Sequence, residues 1–216
     1  HDNPSAIKAA ALVATLGALL VLLYSGMEVM VVQARPLWNT SLLPLIFAVT
    51  AMTGGIGMTS LFEAITGNRQ SAPLLNQWLA RGVWVTLGLL VLWLVLGISG
   101  TSTAASEALV AMSASMGWLV TGGWLIGSTL LTLWLAQNYR NSLIMPALLA
   151  LHGAWLIRWI VFIGGQSLPK IGSATHAYNL TLTPDSLLGI VGMAGLCLTL
   201  YIILTSLIPW DDQAKA

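Results

Sequence analysis

Charge is what this sequence has least of. Of its 216 residues, eight are Lys or Arg and seven are Asp or Glu, so 7% are charged. A soluble domain carries about 25%, and a surface this poor in charge would not stay dissolved. Lipid is the natural solvent of such a chain, in keeping with 57% hydrophobic residues and a mean hydropathy of +0.86. The net charge of +1 leaves no basic stripe, which excludes nucleic acid as a partner. Cysteine is nearly missing. Cys197 stands alone in an apolar run, so this chain by itself can form no intrachain disulfide, zinc cluster or iron–sulfur centre.

Histidine is equally scarce. A membrane cytochrome with two b haems needs histidine pairs on facing helices. Here His152 lies in an apolar run and His176 in a loop, so no bis-His haem is expected. No lysine falls in the middle of a span, which excludes a retinal Schiff base, and no phosphate-cradling glycine loop is present. Residue 1 is His, and no charged leader with a cleavage site follows it. The sequence therefore reads as starting inside a longer gene product.

Long apolar runs are what the chain has in abundance. Runs of about 20 residues are the signal of a membrane span. Six are found, at 9–32, 42–66, 83–99, 108–136, 143–164 and 186–208. The fourth is long enough to tilt or to project beyond the bilayer. The runs are too continuous for barrel strands, which alternate over about ten residues, and only helices and closed barrels satisfy their backbone in lipid. The expected fold is an all-α integral membrane protein, a single transmembrane helical domain over residues 1–216. Lys8, Arg69, Arg81, Arg140 and Lys215 fall on one side, against Arg35 and Lys170 on the other, with Arg158 inside a helix. The excess of basic residues marks the cytoplasmic side, which places both ends of the chain there. Trp38, Trp78 and Trp210 near span ends read as interfacial anchors. Gly123 and Gly127, and Gly54, Gly55 and Gly57, read as points where helices approach closely.

A carboxylate inside an apolar helix is expensive and marks a candidate site. Glu28 lies one helical turn after Tyr24, so the two share a helix face. A phenol can donate a hydrogen bond to a quinone carbonyl, and a carboxylate can take the proton that quinol loses on oxidation. The bland alternative is an interfacial Tyr beside a Glu that reaches the headgroups. Arg35-Pro36 follows, with the proline expected to break the helix. Arg35 can pair with Glu28, face a partner subunit or touch headgroups. Glu63, beside Thr59 and Ser60, and Arg158, deep in the fifth span, are candidates for a proton path. Each has a structural alternative, Glu63 as a helix-end carboxylate and Arg158 as a bond to carbonyls or to a carboxylate of a neighbouring helix.

Three stretches carry a family resemblance. They are Tyr24-Ser25-Gly26, then Arg35-Pro36-Leu37-Trp38-Asn39-Thr40, then Leu43-Pro44-Leu45-Ile46-Phe47; Arg158 with Gly164-Gly165-Gln166 adds a further element. The chain resembles the polysulfide reductase membrane-subunit family (NrfD/PsrC type). That resemblance implies part of a two-bundle helical fold in a bacterial inner membrane, without the first three helices typical of members. It implies a quinone, menaquinone or ubiquinone, as the cofactor, and no haem or iron–sulfur cluster in this chain. It implies a ferredoxin-like iron–sulfur subunit and a molybdopterin catalytic subunit as partners, alongside membrane lipids. The family's quinone-contacting tyrosine matches Tyr24. Roles for Glu28 as proton acceptor and for Arg35 and Trp38 around the quinone rest on their proximity. The expected function is a quinone-reactive anchor subunit of a respiratory oxidoreductase, with the terminal catalytic site in a partner. Two other readings stay open. One is a transporter or channel using Glu28, Glu63 and Arg158; the other is an anchor that only tethers its partner.

Overall fold

The computed structural model describes residues 3–67, 69–168, 181–184 and 186–207. Lys170, His176, Trp210 and Lys215, which the sequence places in loops or near span ends, lie outside them, as does most of the loop after Leu168. The regular structure among the described residues is helical. The helices are α1 (Pro4–Met30), α2 (Leu43–Thr66), α3 (Ala72–Ile98), α4 (Thr103–Ser113), α5 (Met116–Asn138), α6 (Ile144–Trp159), α7 (Gly165–Ser167) and α8 (Leu187–Leu207). A π-helical turn, Ile160–Gly164, joins α6 to α7. Six stretches among the described residues are long and apolar enough to cross a membrane.

The helix starts follow local chemistry. The Asn3 side chain accepts the Ser5 N–H at 3.1 Å and Pro4 opens α1, where a missing N–H costs nothing. Pro44 and Pro73 open α2 and α3 in the same way. Gly67, at φ 76°, ends α2 in the left-handed conformation that glycine adopts freely.

Several boundaries differ from the sequence reading. The run at 108–136 is not one helix. Ser115 is extended, at φ −121° and ψ 122°, and separates the short α4 from α5. Apolar composition hides this break, because hydropathy does not record that Ser113 and Ser115 flank the turn. The third helix starts at Ala72, so Arg81 sits inside α3 with its guanidinium stacked on Trp78 at 4.8 Å. Arg81 thus stands exposed within the helix, its guanidinium over an indole of the preceding turn. Helix α1 ends at Met30, ahead of Pro36; turns, not the proline, carry the chain on to α2.

The chain forms two compact units, His1–His176 and Ala177–Ala216. In the second, α8 is apolar on all sides, and the Thr181 N–H donates to Ser186 Oγ at 3.1 Å ahead of it. In the first, α2 is the hub, packing on α1, α3 and α6, while α5 packs on α3 and α6. Lipid tails remove most of the hydrophobic drive between helices, so close packing and hydrogen bonds must hold the bundle. Small residues allow the approach. A Cβ on Gly57 would lie 2.9 Å from Ala147 O, and one on Gly26 2.8 Å from Pro44 N. Gly123 and Gly127, a packing pair by spacing, face open space instead. Helix α5 turns Leu125, Ser128, Thr129 and Thr132 inward and leaves those glycines outside. Gly55 is likewise open, whereas Gly54 meets Ala154 Cβ at 3.2 Å. Apolar clusters fill both ends of the bundle. Phe47, Leu43, Leu156 and Val161 centre one, near the α1–α2 connection; Leu79, Val83, Leu133 and Ala136 form a second, and Leu37, Ala108 and Leu168 a third.

Candidate functional site

Tyr24 and Glu28 occupy the last two turns of α1, on its exposed side. Tyr24 is 62% exposed. Gly26 and Val29, on the other side, are the buried residues of α1 and meet α2. The spacing is responsible. Residue 26 lies about 200° round the helix from both 24 and 28, so burying Gly26 against Pro44 turns the phenol and the carboxylate outward together. Exposed Leu20, Val21, Met27 and Val31 surround them. One hydrogen-bond donor and one proton acceptor thus stand side by side on an apolar surface.

Arg35 and Trp38 do different work. Arg35 Nη1 donates to the carbonyls of Gln166 and Leu168 at 2.9 and 3.0 Å, and its guanidinium lies 5.8 Å from the Trp38 ring. Glu28, a partner subunit and headgroups are the alternatives open to Arg35 in the sequence; the end of the α6–α7 segment engages its guanidinium. Trp38, expected as an interfacial anchor, is half-buried, and its Nε1–H donates to Val161 O at 2.5 Å. Val161 belongs to the π-helical turn, where the Gly165 N–H is shared between the carbonyls of Ile160 and Val161. Such turns loosen the helical ladder and frequently mark functional sites. The Trp38 ring lies where a Cβ on Gly165 would go, and the Trp118 ring does the same at Gly164. The Gly164-Gly165 pair therefore gives two indole rings room beside the backbone. Arg35 and Trp38 together strap the α1–α2 connection to the end of the sixth helix.

Arg158 lies half-buried between α6 and α2. Nη1 donates to Ala154 O at 2.9 Å and Thr50 Oγ1 at 3.3 Å, Nη2 donates to Phe47 O at 3.3 Å, and the charge sits 5.2 Å from the Phe47 ring. Glu63 accepts a hydrogen bond from Ser71 Oγ across the α2–α3 turn. Thirteen residues of α2 separate Thr50 from Glu63, roughly 20 Å along the axis. The two groups are not brought together. Missed by sequence reasoning was Asn76, 2% exposed, whose side-chain amide donates to the carbonyls of Arg140 and Ser142, both at 2.8 Å. An Asn inside an apolar helix was the available signal. Also missed was the pairing of Trp124 Nε1–H with His152 Nε2 at 2.8 Å, which sets the imidazole as an acceptor there.

Two cavities among the described residues bear on function. The larger, about 110 Å³, is a cleft walled by Leu37, Leu90, Trp93, Met112, Trp118 and Ile160, with Thr40 its one polar side chain beside the indoles. The smaller, about 20 Å³, is lined by threonines of α2, α3 and α5. Neither is lined by Tyr24, Glu28, Glu63 or Arg158. No group of three or more His, Cys, Asp and Glu that could hold a metal is found among the described residues.

The family description "Polysulphide reductase, NrfD" matches residues 3–170 of the chain. The chain belongs to the NrfD family. A tetrathionate reductase subunit of Salmonella typhimurium (strain LT2) is 32% identical over 203 residues, covering 90% of this chain and 57% of that protein. The chain thus spans a little over half the length of this curated relative. No solved structure matches it. Family and spans together make this a multi-pass membrane protein.

Proposed function

We propose that the chain is the quinone-reactive membrane anchor of a respiratory reductase complex in a bacterial inner membrane, with both ends of this segment cytoplasmic. The observation that carries the proposal is the phenol–carboxylate pair on the exposed apolar face of α1. A quinone head group needs a hydrogen-bond partner for its carbonyl, a route for its protons and an apolar surface for its tail. Tyr24, Glu28 and the surrounding aliphatic side chains supply all three. The cleft beside Trp93 and Trp118 suits the head group less well, because its walls are almost wholly apolar.

A bound quinol supplies two electrons and two protons when it is oxidised to quinone. Tyr24 orients the ring by donating its hydroxyl proton to an oxygen. Glu28 takes the two protons one after the other, passing the first to water on its exposed side before it accepts the second. Arg35 and Trp38 act as positioning residues. They hold the α1–α2 connection, and with it the end of α1, against the π-helical turn. The electrons pass to an iron–sulfur subunit docked at that end, and a molybdopterin subunit reduces the terminal substrate. The relative's name makes a reductase the favoured direction, with quinol as electron donor.

The test is Tyr24→Phe in the assembled complex. Quinol-linked turnover should fall at least tenfold, an effect of about 1.4 kcal/mol or more on the barrier. Activity with an artificial donor that reduces the partner directly should be unchanged. Unchanged quinol-linked turnover would remove Tyr24 from the site.

A further inference from the structure

The smaller cavity has an unusual wall. Thr50 and Thr53 of α2, Thr86 of α3, and Thr129 and Thr132 of α5 converge on it. All five are buried, at 2 to 7% exposure. Each hydroxyl already donates its proton to a carbonyl of its own helix: Thr50 to Ile46 O at 2.7 Å, Thr53 to Thr50 O at 3.0 Å and Thr86 to Gly82 O at 3.0 Å. Thr129 donates to Leu125 O at 2.6 Å, and Thr132 to Ser128 O at 2.7 Å. A threonine hydroxyl has one donor and two acceptor sites. With the proton committed to the backbone, only lone pairs are left for the cavity. Threonines of three helices thus line one chamber with acceptor lone pairs to spare, beside the small residues Ala150, Gly153 and Ala154 of α6 and the apolar side chains of Val83, Leu149 and Ile157.

Such a chamber calls for an occupant that donates. Its volume of about 20 Å³ admits one water, since a cavity of roughly 10–15 Å³ on this measure is enough for one with two to four polar partners. A small cation is the competing occupant. Against it stands the Arg158 guanidinium, which donates to Thr50 Oγ1 and so sets a positive charge behind that wall residue. No carboxylate lines the chamber to offset a second positive charge. We propose that this chamber is a binding site for a single ordered water, which donates its two hydrogens to threonine oxygens on different helices. The water ties two of the helices α2, α3 and α5 together at a level where lipid gives no hydrophobic drive for association. Its donors meet lone pairs that the threonines' own backbone bonds leave unused.

The test uses the full complex. A cryo-EM map fine enough to show waters should contain a peak within hydrogen-bonding distance of at least two of the threonine oxygens. Single Thr53→Val, Thr86→Val and Thr132→Val changes keep the side-chain shape and remove an acceptor. At least one of them should lower the thermal midpoint by about 2–4 °C relative to Thr59→Val, whose hydroxyl bonds its own helix in the same way but is exposed. An empty chamber overturns the proposal. So does a peak ringed by five or more oxygens at about 2.4 Å, the geometry of a bound metal cation. Stability equal to Thr59→Val in all three valine variants also overturns it, because a dry chamber would not miss the hydroxyls. If the variants fail to assemble, the wild-type map decides alone.

Discussion

Gly26→Ala probes the contact that turns the Tyr24 face outward. A Cβ at residue 26 would stand 2.8 Å from Pro44 N and closer still to Pro44 Cα. Carbon atoms in ordinary contact sit about 3.5–4.0 Å apart. Both partners are backbone, so no side chain can swing aside, and α1 must retreat from α2 by roughly 1 Å. A gap of that size forfeits about a quarter to a half of the dispersion energy of each facing atom pair. Overpacking of this kind costs about 1–3 kcal/mol, and a clash with backbone belongs at the upper end. At about 2–4 °C per kcal/mol for a chain of this size, the thermal midpoint of the purified complex should fall by roughly 5–10 °C. Quinol-linked turnover should fall with it, because Tyr24 and Glu28 move with α1. Gly17→Ala is the control, since a Cβ there meets nothing within 4 Å. A Gly26→Ala complex as stable as the Gly17→Ala complex would refute the packing argument.

Trp38→Phe removes the Nε1–H bond to Val161 O while keeping a ring against Gly165. It should cost about 1 kcal/mol, read as a drop in thermal midpoint, and should lower quinol-linked turnover more than artificial-donor activity. Arg158→Met should assemble with a loss of no more than about 1–2 kcal/mol, because an apolar replacement leaves no unpaired charge. Arg158→Glu should prevent assembly, since it sets a carboxylate against the Phe47 and Ala154 carbonyls; detergent-extracted yields on a sizing column separate the two outcomes. Glu63→Gln should leave quinol-linked turnover and its proton release unchanged, because Glu63 is tied to Ser71 at a turn far from Tyr24. A severalfold loss in a proton-release assay would restore Glu63 to a proton path.

Much of the helical architecture was legible because lipid imposes it. Uniformly apolar runs can only be helices there, and α2, α6 and α8 lie close to where hydropathy puts them. What hydropathy could not supply was rotation and interruption. It reads Met116–Asn138 as equally apolar on every side, so the inward turn of Thr129 and Thr132, and the outward turn of Gly123 and Gly127, had no signature. The break at Ser115 is set by two residues in a long apolar stretch. The pairing of Tyr24 with Glu28 follows from helical spacing alone. The pinning of Arg35 and Trp38 does not, because their partners are backbone carbonyls more than 120 residues away, and a carbonyl leaves no trace in sequence. Thr50 and Thr53 show why threonines in an apolar helix merit attention: back-bonding makes them tolerable there, and spare lone pairs make them useful.

The most direct measurement is a structure of the native complex, purified in mild detergent with its quinone retained. A quinone ring with an oxygen within hydrogen-bonding distance of Tyr24 Oη, and an iron–sulfur subunit docked over that end of α1, is the predicted result. A ring bound elsewhere, or Tyr24 covered by lipid or protein with no quinone beside it, would contradict the proposed role.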